Sequence, residues 1–378
     1  MKTIINSLIV VFILESCSLF ASQWSISGYL ECDLELAKFS EYQYYGYNKI
    51  RFDFLKPINS QIGIHNSILA KQYWGKSNFE FSELFPVDPL NNLPNISLTD
   101  TLYFDNLFLV WRTKKLGDLV VGKQPITIGE GYVWNPTDIF SVKDNIDPTY
   151  ELQGVNGFRW LFSTKYFDID GIIQPQNDGK NINAYFGISN LSGHFENTLS
   201  LIRRTYHSGA QNYLTDKSIG ISTVGEIFTA GTWVEANWVF SGQMFPDNYE
   251  IAIGVDYTTT SSLHIMLEAY HNDAGENHQT SDYYSDSQVL LYINGDTRSL
   301  GEDYFILLAD YPVADWWNLS FWTLNNMTDR SRIIAFEITG NPFQDTTVHL
   351  SIYSFMGSNN TEFGMYENGL RVKYDFYF

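Results

Sequence analysis

Apolar and polar residues alternate along most of this chain. At its end Leu370, Val372, Tyr374, Phe376 and Phe378 share one parity, and Gly369, Arg371, Lys373, Asp375 and Tyr377 share the other. The same period of two recurs at Ile50–Phe54, Phe158–Phe162, Val234–Phe240, Ile251–Tyr257, Leu263–Leu267 and Val348–Ile352. Successive side chains of a β-strand point to opposite faces, so each stretch predicts a strand with one apolar face. The other face carries charges as well as Ser and Thr: Arg51 and Asp53, Arg159, Glu235, Asp256 and Glu268.

A soluble sandwich also alternates, so the connections decide. Short turns are expected at Lys56–Ser60, Thr113–Gly117, Thr164–Phe167, Asn190–His194, Gly225–Gly231, Thr258–Ser262, Tyr311–Asp315 and Gly340–Asp345. Between them lie longer segments at Ala37–Asn48, Tyr73–Asp100, Gly129–Gln153, Asn272–Gly301 and Gly357–Glu367. Short turns at one end, long loops at the other and aromatic residues at strand ends are the plan of a transmembrane antiparallel β-barrel. Eight hairpins between a first strand near Gln23–Leu34 and a last strand at Gly369–Phe378 predict about 18 strands, with both termini periplasmic. Leu102–Thr113 and Thr215–Gly225 have an ambiguous facing; losing one hairpin gives the alternative of 16. The barrel closes because an open edge in lipid leaves backbone groups unpaired.

Composition narrows the picture further. The chain has 378 residues, with 23 basic and 43 acidic side chains and a net charge of −20. That balance argues against nucleic-acid binding, which needs a basic footprint. With 17% charged and 16% aromatic residues it does not read as disordered. Met1-Lys2, the apolar stretch Ile4–Leu14 and the small-residue exit at Ala21 predict a secretory signal peptide over residues 1–21. Residues 22–378 then form one domain. Beyond the leader the longest apolar run is Tyr304–Ala309, far short of the roughly 20 residues of a membrane helix. Of the two cysteines, Cys17 falls in the leader, and Cys32 reads as a small hydrophobe on the first strand. Together these features predict a location in the outer membrane of a Gram-negative-type cell.

The most distinctive stretch is Gly122-Lys123-Gln124-Pro125-Ile126-Thr127-Ile128-Gly129-Glu130-Gly131, followed by Asn135-Pro136-Thr137-Asp138. It resembles a family of porin-like outer-membrane β-barrels that carry a Gly-Arg-Gln strand, a Gly-rich turn and an Asn-Pro-x-Asp loop. The first strand, Leu267–Asn272 and the final strand fit the same resemblance. Lys123 stands where Arg is usual, and Ile128 where Trp is usual; Lys lacks the bidentate fork of Arg. The resemblance implies a pore for small solutes. Separately, the ending Tyr374-Asp375-Phe376-Tyr377-Phe378 resembles the C-terminal strand signal read by the barrel-assembly machinery.

The charges supply the candidate site. On the lipid face at mid-membrane a charge costs about 2–4 kcal/mol, so strand charges are expected to point inward. The candidate pore-lining residues are Arg51, Asp53, Lys123, Arg159, Arg204, Glu235 and Glu268 on strands, and Asp138, Asp144 and Asp147 in the Gly129–Gln153 loop. This loop is expected to fold into the lumen, and a surface loop is the alternative. The acidic run Asp273–Asp303, with Arg298 as its one base, reads as a solvated outer loop or a bridge to lipopolysaccharide through divalent cations. No His-Glu-x-x-His or Gly-x-Ser-x-Gly motif is present, and the histidines are scattered. An enzyme, a cofactor and a metal site are therefore not expected. The function predicted is passive diffusion of small hydrophilic solutes, with a cation preference. The alternatives are an export barrel for an acidic polysaccharide and a non-conducting structural or adhesion barrel. Membrane lipid, lipopolysaccharide and small solutes are the expected partners.

Overall fold

The computed structural model describes residues 24–38, 41–88, 93–141, 143, 150–207, 213–277, 283–365 and 368–378. The expected signal peptide, Asp144 and Asp147 lie outside the described residues. Eighteen strands form one closed antiparallel sheet. In chain order they are β1 (Ser25–Lys38), β2 (Tyr42–Pro57), β3 (Ile62–Gly75), then, after a small connecting pair β4 (Asn78–Phe79) and β5 (Ile96–Ser97), β6 (Thr101–Thr113), β7 (Gly117–Gln124), β8 (Val155–Ser163) and β9 (Asp168–Pro175). There follow β10 (Ile182–Ser192), β11 (Phe195–His207), β12 (Tyr213–Ile227), β13 (Ala230–Ser241), β14 (Asn248–Thr258), β15 (His264–Asn272), β16 (Asp303–Ala314), β17 (Trp317–Asn326), β18 (Ser331–Gly340), β19 (Thr346–Met356) and β20 (Asn368–Tyr377). Two short helices lie in the connections, α1 (Phe81–Leu84) and α2 (Asp286–Ile293). Each wall strand pairs with its neighbours in sequence, and β20 pairs with β1 to close the ring.

Alternation sets the two faces, and apolar residues stand outside. Leu199 and Leu201 are exposed on β11 while Ser200 and Ile202 between and beside them are buried; Phe336 and Ile338 are exposed on β18 while Ala335 is buried. A soluble fold would turn such residues inward, since large exposed apolar surfaces mark interaction with a membrane or partner. Charges pair inside instead. Arg371 of β20 forks onto Asp33 of β1 at 2.7 and 2.9 Å, and Arg159 of β8 onto Asp170 of β9 at 2.7 and 3.0 Å.

All eight expected short turns are present, and the strand count is 18. Ala37–Asn48 is not a long connection: β1 and β2 pair out to Lys38 and Tyr42. The two ambiguous segments are full strands; an extra residue at Asp105 breaks the alternation of β6, whereas β12 alternates from Asp216 to Ile221 and the extra residue of its ladder, Phe240, lies on β13. The β3–β6 register shifts between Ser67 and Ile68, and the β12–β13 register between Lys217 and Ser218. Cys32 is half-buried rather than fully buried.

Candidate functional site: a lumen divided by one connection

The described parts of the connection from β7 to β8, residues 125–141, 143 and 150–154, lie inside the barrel. Its first part runs along the inner wall, where Ile126 and Ile128 pack with Val155, Ile172, Tyr185 and Ile202. Gly129 has φ +94, and a Cβ there would strike the carboxylate of Glu235. That close approach lets the chain turn onto β13. Glu235 accepts hydrogen bonds from the Glu130 amide at 2.7 Å and from the amide and hydroxyl of Thr137, both at 2.7 Å. Two strands on, Glu268 of β15 accepts from the amides of Tyr132, Val133 and Trp134 at 2.5, 2.9 and 3.0 Å, and from the Trp233 indole at 2.7 Å. Both side chains have no exposure. Two buried carboxylates thus satisfy a run of amides that would otherwise be desolvated without partners. Trp134 completes the anchor by stacking on Tyr270 at 5.1 Å with an interplanar angle of 5°.

The loop also holds itself. Asp138 accepts from the amides of Ile128, Phe140 and Ser141 and from the Ser141 hydroxyl at 2.6 Å. Burial pushes its carboxyl up from the usual range against these donors. Lys143 donates to the carbonyls of Gly131 and Tyr132 at 2.6 and 3.0 Å, and burial pushes its ammonium down. Arg298, in the connection between β15 and β16, pairs with Glu250 of β14 at 2.9 Å and donates to the Asp138 carbonyl. It ties the two long connections to one wall.

A second anchor holds the end of the loop. Tyr150 accepts from Lys49 at 2.7 Å and donates to Glu31 at 3.0 Å. Glu151 accepts from Arg51 at 3.2 Å and from the Tyr29 hydroxyl. Arg51 also meets Asp53 at 2.9 Å and Asp105 at 2.9 Å. These partners belong to β1, β2 and β6. In the ring β2 and β13 are nine strand steps apart, halfway round, so the connection is fastened to opposite walls of the lumen.

The candidate residues therefore separate. Arg51, Asp53 and Arg159 lie in ion pairs on the inner wall. Arg204 donates to the Gly295 carbonyl and lies 3.9 Å from Asp296, where the β15–β16 connection meets the wall. Glu235, Glu268 and Asp138 are buried and grip the backbone of the loop, so their carboxylates do not meet water. Lys123 turns to the Phe104 carbonyl at 2.8 Å and the Tyr103 ring instead of joining the charged wall. Gly122 before it has φ +125, which breaks the alternation. Sequence reasoning missed Tyr150, Glu151 and the latching role of Arg298.

A second set of connections packs across the same end of the barrel. Phe81 of α1 and Val87 meet Tyr284, Val289 of α2 and Leu300 in one apolar cluster. Tyr284 donates to Asp329 at 3.1 Å. Glu362, between β19 and β20, accepts from the Tyr304 hydroxyl at 2.5 Å and the Asn326 amide at 2.8 Å, and its own amide donates to Asp329 at 2.7 Å. Burial pushes the Glu362 carboxyl up to about 8, with the neighbouring Asp329 adding to the shift. Among the described residues no group of three His, Cys, Asp or Glu can hold a metal ion.

A closed 18-strand antiparallel barrel with an apolar outer wall and a connection folded inward is the fold of the outer-membrane porins. No protein-family model matches the chain, and no curated protein is similar to it in sequence. Solved structures agree on the fold. OccK5 (OpdH) of Pseudomonas aeruginosa superposes with a TM-score of 0.58 at 9% identity, covering 94% of this chain and 98% of that one. OccK11 (OpdR) of the same organism gives 0.57 at 10% identity, covering 94% and 95%. The outer membrane protein OprD from Pseudomonas aeruginosa gives 0.55 at 8% identity, covering 94% and 93%.

Proposed function

We propose that the protein is an outer-membrane channel through which small hydrophilic solutes diffuse passively. The observation that carries this reading is the β7–β8 connection, fastened to opposite walls of a closed barrel. A segment held in that way narrows a water-filled path without needing to move. The inner wall beside it offers paired charges, Arg51–Asp53 and Arg159–Asp170, which hydrate polar solutes while limiting net attraction to either sign. In this reading the long connections face outward, the termini and short turns face the periplasm, and the aromatic C-terminal strand is the segment handed to the assembly machinery.

A modest cation preference follows from the net charge of −20, because charge at a channel mouth enriches counter-ions locally. Screening restricts the effect to about 8–10 Å at physiological salt. The test is reconstitution of the purified barrel into planar bilayers. Discrete conductance steps are expected, with a reversal potential across a KCl gradient that favours K⁺ and weakens as salt rises. Membranes that stay silent at every voltage would refute the channel. Anion selectivity that survives at low salt would refute the preference while leaving the channel intact.

A further inference from the structure

Many inward charges in this barrel lie in ion pairs, such as Arg51–Asp53, Arg159–Asp170 and Arg371–Asp33, whereas two facing cations turn outward. Arg203 of β11 and Lys217 of β12 stand directly opposite each other in the register. Both are exposed and share the parity of the lipid-facing residues Leu199, Leu201, Ile219 and Ile221. Like charges opposite one another across two strands repel. Among the described residues neither has an ion-pair partner, and residues 208–212, which join the two strands, contain no charged side chain. The pair sits near the long-connection end: Arg203 is level with Ala184, the third residue of β10, and Lys217 with Ser241, the last of β13.

Beside the two cations a groove of about 560 Å³ opens on the outer wall, lined by Phe158, Ile173, Phe186, Leu201 and Phe240. Gly171 lies in it, and a Cβ there would meet only Trp160 at 3.6 Å and Phe186 at 3.9 Å. The missing side chain leaves the depression open. None of the lining residues is acidic.

We infer that this groove is a binding site for a phosphorylated outer-leaflet glycolipid, the lipid A part of lipopolysaccharide. Arg203 and Lys217 take a phosphate, and an acyl chain lies over Gly171. A phosphate between the cations removes their repulsion, and an acyl chain is the occupant an apolar groove accepts from a bilayer. The choice of glycolipid over phospholipid rests on the reading that the long connections face outward.

Native mass spectrometry of the barrel with lipid A bisphosphate, phosphatidylglycerol or phosphatidylethanolamine tests the site. The wild type should retain lipid A in preference to the other two. R203Q/K217Q should lose that retention by about thirtyfold, the scale of two cations at a lipid surface. Gly171→Leu fills the groove with the charges intact and should weaken binding as well. Heat-modifiable gel migration verifies that each variant is folded, and a misfolded double variant leaves Gly171→Leu to decide. Unchanged lipid A retention in folded variants overturns the site. Equal retention of phosphatidylglycerol by the wild type overturns the assignment to lipid A. Neither cation is placed in the lumen, so conductance should be unaffected. Lost conductance with lipid retained would count against the channel reading alone.

Discussion

The two ends of the β7–β8 connection are held by opposite kinds of chemistry. On the β13–β15 wall two fully buried carboxylates grip backbone amides, beside a stacked Trp134–Tyr270 pair. On the β1–β2 wall Tyr150 and Glu151 meet Glu31, Lys49 and Arg51 through side chains alone, and the Glu151 side chain is 45% exposed. Amides cannot leave a buried carboxylate without losing partners, whereas the half-exposed Glu151 carboxylate exchanges Arg51 readily for water and salt. The first anchor therefore fixes where the loop lies, and the second is the end that yields.

Removing Glu268 should break this contrast most. Glu268→Ala strands three amides and one indole N–H, each worth about 1–3 kcal/mol when buried without a partner. The expected result is a larger and noisier single-channel conductance, with new protease cleavage within 125–154. Glu235→Ala strands two amides and one hydroxyl, and the same measurements should show a smaller change. If either variant conducts as the wild type does, the buried anchor does not position the loop.

Glu151→Gln should have a weaker effect that depends on salt. Exposed pairs contribute about 0.2–1 kcal/mol, so open-channel noise should rise at low salt and match the wild type at high salt. An effect independent of salt would remove the distinction between the anchors.

The smallest expected effect concerns the connections packed around Glu362. Its carboxyl is pushed up to about 8 in the folded protein. From the ordinary carboxylate range up to that pH, the folded form holds a proton that the unfolded chain releases. Stability of this cluster is therefore full at acid pH and falls as pH rises through about 8. Hydrogen exchange at residues 357–365 should be slower at pH 5 than at pH 8.5 after correction for intrinsic rates, and Glu362→Gln should flatten the difference.

Much of the architecture was legible in the sequence because alternation and turn residues are local signals. Strand β2 was partly missed because Tyr42, Tyr44, Tyr45 and Tyr47 place aromatics on both faces. Strand β6 was ambiguous because the ladder slips beside Asp105. The inward facing of Glu235 and Glu268 was readable from parity, but their partners were not. Those partners are backbone amides 98 to 136 residues away, which leave no mark on composition. Asp138 was legible as a loop acid. Its use as an internal staple rests on Ser141 three residues later, a spacing that local turn chemistry favours.

The seam of the barrel bears on how the chain reaches this state. Phe378 exchanges backbone hydrogen bonds with Gly28 in both directions, at 2.9 and 3.0 Å. Asp33 and Arg371, which clasp across the same seam, are 338 residues apart. Every other wall pairing joins strands that are neighbours along the chain, so it carries a modest loop-closure entropy, whereas the seam carries the largest in the molecule. Hairpins can zip up one after another, but the ring stays an open sheet with two hungry edges until β20 reaches β1. High contact order of this kind slows folding, and the closing event is the one that deletion of a single C-terminal residue would delay.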